Sequence, residues 1–132
     1  MTLDFPTALR IIAAAHAEAA RRSVLVSAAV VDAGGHLIAF GRMDGAEIAG
    51  PVLAVDKAYT SVANRIATSE LATLAAPGGE LFGLHATAGG RFVIFGGGVP
   101  VAVDGRVIGG IGVSGASTAD DEACALAGLA AI

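Results

Sequence analysis

Arg106-Val107-Ile108-Gly109-Gly110-Ile111-Gly112-Val113-Ser114-Gly115 runs straight into Ala116-Ser117-Thr118-Ala119-Asp120-Asp121-Glu122. The first stretch reads as a β-branched strand studded with glycines. The second reads as a polar turn followed by an acidic helix start. Glycine weakens a strand, so its repetition there points to another backbone or a ligand coming close. Asp120, Asp121 and Glu122 fall in the first helical turn, where the macrodipole favours anions. Two readings stand side by side: a helix packed tightly on a sheet, or the floor of a site for a planar or small ligand.

Working outward, Asp104-Gly105 is a strong two-residue hairpin signal. It joins a fourth strand, Val99 to Val103, to the fifth, Arg106 to Val113. Arg91 to Phe95 reads as the third strand. Thr118, with Asp121 three residues on, resembles a capping box for a last helix from Ala119 to Ala130. Towards the N-terminus, Ala8, Ile11, Ile12, Ala15 and Ala19 form one apolar stripe and predict a helix from Thr7 to Arg22. Ser23 to Val31 and His36 to Gly41 are strands joined by the turn Asp32-Ala33-Gly34-Gly35. Pro51 sits well at the start of a second helix, with Val52, Val55, Tyr59, Val62 and Ile66 as its stripe. Thr68 caps a short helix from Ser69 to Ala75, and Pro77-Gly78-Gly79 ends it. Hairpin strands with segregated helices predict an α+β domain with helices on an antiparallel sheet.

Composition narrows the classes. The chain has 132 residues, a net charge of −4 and one cysteine, Cys124. One domain with a real core is expected. Scattered Lys and Arg give no basic patch for nucleic acid. No apolar run approaches the ~20 residues needed to span a bilayer. Asp4 and Pro6 near the start, without a basic region before an apolar one, argue against a signal peptide. A lone cysteine excludes an internal disulfide and fits a reducing compartment, so a cytoplasmic protein is expected. With 55% hydrophobic and only 15% charged residues, some apolar surface should be covered by a partner subunit, which predicts a homo-oligomer.

Several side chains could carry chemistry, and each has a structural reading beside the functional one. His16 lies at the edge of the first helix's stripe, about 60–80° from its centre. It either packs there or ligates a haem iron. His85, in a loop between glycines, is either solvated or able to move onto a ligand. Arg42 and Asp44 point the same way from an extended chain. They pair with each other, or Arg42 holds a carboxylate through its planar fork. Lys57 on the second helix is either a solvated lysine, a partner for a ligand's acid group, Asp44 or Asp121, or, if buried, a base or imine former. Asp121 and Glu122 are helix-start charges or catalytic carboxylates, but they diverge by ~100° around a helix, so at most one faces a site. Ser114 has no histidine to activate it, and Gly112-Val113-Ser114-Gly115-Ala116 breaks the nucleophile-elbow pattern at its last glycine.

The chain also resembles the GlcG/HbpS-like family. The resemblance rests on Val30-Val31-Asp32-Ala33-Gly34-Gly35, Gly41-Arg42-Met43-Asp44-Gly45-Ala46, Asp56-Lys57-Ala58-Tyr59-Thr60, Gly96-Gly97-Gly98-Val99-Pro100 and the Arg106–Glu122 segment. It runs from Leu3 to Ala131, so residues 1–132 are expected to form one such domain. It implies a profilin-like, five-stranded antiparallel sheet flanked by helices, assembling as a dimer up to an octamer. The family includes haem-binding proteins and the C-terminal domain of one class of corrinoid adenosyltransferases. The reading that follows is a binding protein for haem or a related tetrapyrrole. Arg42, Lys57 and Ser114 would lie at the ligand, with His16 as the first choice of axial ligand and His85 as the second choice. The alternative is a metal-free isomerase or lyase acting on a small acidic metabolite through Lys57, Asp44 and either Asp121 or Glu122. A structural or sensory partner without chemistry is the third.

Overall fold

The structure is a computed structural model and describes residues 2–132; Met1 of the expected 1–132 domain lies outside them. The elements are α1 (Phe5–Arg21), β1 (Ser27–Asp32), β2 (Leu37–Arg42), α2 (Gly50–Asn64), α3 (Thr68–Leu74), β3 (Gly98–Val103), β4 (Arg106–Ser114) and α4 (Thr118–Leu129). Asp4 starts α1 by accepting a hydrogen bond from the Thr7 amide at 2.9 Å, with Pro6 in the first turn, where its missing N–H costs nothing. Ser117, not Thr118, caps α4, accepting from the Asp120 amide at 3.1 Å. The Asp121 side chain is thereby free to turn inward.

The four strands form one antiparallel sheet in the order β2-β1-β4-β3. Helices α1 and α4 pack on one face with Val30, Val101, Ile111 and Val113, and α2 covers the other with Val31, Ala58 and Val62. The α+β class is as expected, but the sheet has four strands among the described residues, not five. Arg91–Phe95 is the segment that does not pair. Its polar groups are taken by α2 instead: the Val93 amide donates to Thr60 Oγ1 at 3.0 Å, and Arg91 Nε donates to Asp56 Oδ1 at 2.9 Å. The apolar residues that read as a strand bury Val93 and stack Phe92 on Tyr59, with ring centroids 6.2 Å apart. No helix is long and apolar enough to cross a membrane among the described residues.

The glycines of β4 set the depth of α2. A Cβ on Gly110 would lie 2.6 Å from Ser61 Oγ and 2.8 Å from Ala58 O, and one on Gly112 would meet the backbone of Ala54 and Ala58. Helix and strand therefore touch main chain to main chain. At the other end of β4, Asp104 (φ 52°) and Gly105 (φ 75°) are both left-handed, as a type I′ turn requires. Gly105→Val should cost about 1–2 kcal/mol, because a β-branched residue is forced to positive φ. An unchanged melting temperature would contradict this.

Candidate functional site

Helix α2 turns Gly50, Ala54, Lys57, Ala58 and Ser61 towards the sheet. Lys57 is thus sealed in the core, with no exposed surface. Its stem runs past Gly97, where a side chain would collide with it, and Gly98 leaves room for its backbone carbonyl. Nζ donates to the Val113 carbonyl at 3.0 Å and to Asp121 Oδ2 at 3.2 Å. The Phe95 ring lies over the ammonium, 5.1 Å from centroid to Nζ. Asp121, 2% exposed, accepts from the Ala116 amide through its other oxygen at 2.9 Å. Burial pulls the Lys57 pKa below the usual lysine value and pushes Asp121 above the usual carboxylate value, each against the pull of its partner. To act as a base or form an imine, Lys57 would first have to leave Asp121 and emerge from behind Phe95.

The strand end at Arg42, the N-terminal half of α2 and the β4–α4 turn lie at the same end of the sheet. Arg42 does not pair with Asp44; its Nη1 donates to the Ala46 carbonyl at 2.8 Å, and Asp44 is exposed. A cavity of about 390 Å³ lies between the two loops, lined by Leu25, Ala46, Glu47, Gly115, Ser117 and Asp120, among others. Glu47 favours the charged form of Lys57 from this side. Asp120 is held by Arg22 at 3.0 Å. Glu122 points elsewhere and accepts from Ser69 Oγ at 3.1 Å.

Ser114 is buried where β4 pairs with Ser27 of β1. The Ser27 hydroxyl is the buried side-chain polar atom left without a partner among the described residues. Cys124 is buried, and burial pushes its thiol up to about 11, so it stays protonated at neutral pH. His85 is exposed in a 3-10 turn, edge-on to Phe82. His36 pairs with Asp32 at 3.2 Å. No group of three or more His, Cys, Asp and Glu could hold a metal ion among the described residues.

His16 stands apart from Lys57, where α1 crosses β2. It is half-buried, and its Nε2 donates to the Gly41 carbonyl at 2.9 Å. A carbonyl can only accept, so Nε2 carries the proton and the lone pair of the neutral ring sits on Nδ1. Phe5 and Leu9, 56% and 47% exposed, lie within about 40° of His16 around the helix. Arg42 is the next residue after Gly41. Side chains alternate along a strand, so Arg42, paired with Ser27 opposite Gly50 of α2, points to the other face of the sheet, and the imidazole and the apolar strip stand together on the α1 side. The sequence signal for the seat of His16 is Gly41, whose lack of a side chain admits the imidazole.

Comparison with known proteins gives the family. The chain is 39% identical over 120 residues to an uncharacterized 15.0 kDa protein in the dhaT-dhaS intergenic region of Citrobacter freundii, covering 91% of this chain and 84% of that one. It is 38% identical over 132 residues to the corrinoid adenosyltransferase PduO of Salmonella typhimurium, covering 100% of this chain but 39% of that protein. Among solved structures, a PduOC:heme complex superposes with a TM-score of 0.96 at 38% identity, covering 100% of this chain and 96% of the other. A family model described as haem degrading protein HbpS-like matches residues 3–130. Fold, identity and coverage agree, and the chain belongs to the HbpS-like family.

Proposed function

We propose that this protein binds haem as a homo-oligomer, with His16 on the iron and Arg42 at a propionate. The observation that carries the reading is the similarity to a protein solved with haem, over the whole chain. The chain's own residues fit such a group. Phe5 and Leu9 offer apolar surface to a porphyrin face, and His16 retains a lone pair on Nδ1 while Nε2 is fixed by Gly41. Arg42 is exposed at the end of the edge strand β2, on the α2 face, with a planar fork suited to a carboxylate that extends past that edge. Bound haem supplies an iron centre whose properties follow from its axial ligand and surroundings. The protein's part is to orient the imidazole and to cover apolar surface. Lys57, Ser114, Asp121 and Glu122 lie outside this grouping, and the Lys57–Asp121 pair is read as a structural tie.

The exposed Phe5, Leu9, Ile48, Val52 and Phe82 support burial against further copies of the chain. The net charge of −4 gives nucleic acid no partner surface, and a single buried cysteine fits the cytoplasm.

Titration with hemin tests the reading. Wild-type protein should give a saturable Soret shift. His16→Ala should change the bound spectrum, and Arg42→Ala should weaken binding at least several-fold with little change in melting temperature. Wild-type spectrum and affinity in both variants would move the site elsewhere. A monomer mass by light scattering at micromolar concentration would remove the oligomer.

A further inference from the structure

We propose that the opposite end of the sheet carries a second site, for a small anion with an apolar body: an aromatic carboxylate or phosphate monoester. The argument starts from the positive charges. The chain has eight Lys and Arg residues. Arg10 donates to Thr7 Oγ1, Arg21 and Arg22 pair with Glu18, Arg42 donates to the Ala46 carbonyl, Lys57 pairs with Asp121, and Arg91 pairs with Asp56. Arg65 and Arg106 make no side-chain hydrogen bond or ion pair among the described residues. They come from different elements, yet both line one cavity of about 310 Å³ with Gly105 and Val107.

That cavity adjoins another of about 360 Å³, which shares Arg65 and Val107 and is walled by Tyr59, Val62 and the Gly34–Gly35 turn. Together they offer a cationic rim and a mainly polar lining, in which Tyr59, Val62 and Val107 supply the apolar surface for the body of the ligand. The wall is rigid. The Arg91 guanidinium sits 3.6 Å from the Tyr59 ring centroid, and a Cβ on Gly35 would come within 2.8 Å of the same ring. Arg65 is the residue after α2, in the left-handed conformation (φ 55°, ψ 42°) that turns the chain out of the helix.

Two features oppose an anion here, and both are weak. The carbonyl end of a helix is worth about half a negative charge. The carbonyls of Ser61 and Val62 are already taken by the Arg65 and Ile66 amides. Two guanidinium charges outweigh the remainder. Of the nearby carboxylates, Asp32 is occupied by the Gly34 and His36 amides and the His36 ring, and Asp104 in the hairpin turn pairs with neither arginine. The nine-residue β4 strand puts this end about 26 Å from Ser114, at ~3.3 Å per residue.

Calorimetric titration of the whole protein with benzoate, and separately with phenyl phosphate, tests the proposal. At least one probe should bind saturably. Arg65→Gln/Arg106→Gln should raise its Kd at least tenfold while melting temperature stays unchanged, since both side chains are exposed. Tighter binding of phenyl phosphate would assign the doubly charged head, and of benzoate the carboxylate. No saturable heat from either probe, or equal affinity in the double variant, overturns the site. Hemin titration should be unaffected by the double variant; a loss there would make the arginines part of the haem site and overturn a separate one.

Discussion

Asp121→Ala should lower stability by about 3–5 kcal/mol, the usual consequence of leaving a buried charge without its partner. Lys57 is fully enclosed and Asp121 is 2% exposed. The lost carboxylate would strand the ammonium with only the Val113 carbonyl, and would leave the Ala116 amide without an acceptor. At ~3–5 °C per kcal/mol for a chain of this length, the melting temperature should fall by roughly 10–20 °C. Lys57→Met combined with Asp121→Asn should recover most of it, because no charge is then buried and Asn Oδ1 can still accept from Ala116. Burial holds Lys57 below and Asp121 above their usual pKa values, which marks the pair as costly to desolvate. Its net contribution is thus much smaller than the penalty for breaking it. A loss below 1 kcal/mol in Asp121→Ala would show that water reaches the lysine.

Gly112→Ala should be at least as damaging, for the opposite reason. The added methyl has no space: it would overlap the Ala54 carbonyl and stand 2.6 Å from the Ala58 amide. Overpacking against flexible side chains costs about 1–3 kcal/mol. Here the obstacles are backbone atoms, so α2 as a whole must shift, and the cost should exceed that range. Chemical denaturation should show either a midpoint too low to fit or an unfolded chain. Gly78→Ala is the control for glycine replacement in general. A Cβ there meets nothing within 4 Å, and the penalty is confined to its φ of +87°.

The elements legible in the sequence are those whose pattern is local. The α1 stripe, the Asp104-Gly105 hairpin and the acidic start of α4 each follow from neighbours in the chain, and each sits within a few residues of its expected place. Arg91–Phe95 was misread because a short apolar run satisfies a helix surface as well as a sheet edge. Only the Thr60 and Asp56 side chains, more than thirty residues away, decide between them. The α2 stripe was displaced for a similar reason. Val52 and Val55 read as inward, but Gly110 and Gly112 draw the helix so close that Ala54, Ala58 and Ser61 must face the sheet. That rotation carries Lys57 into the core, and nothing local in Asp56-Lys57-Ala58 announces it. His16 was visible; its seat against Gly41 depends on a hydrogen bond across 25 residues.

Where side chains separate two layers, a small push is absorbed by torsion changes in those side chains. The α2–β4 seam lacks that cushion at Gly110 and Gly112. A shift of the helix there has to move backbone against backbone, with no side chain between them to yield. The protein has in this one seam a stiff mechanical link between helix and sheet, built from residues that contribute no side chain to it.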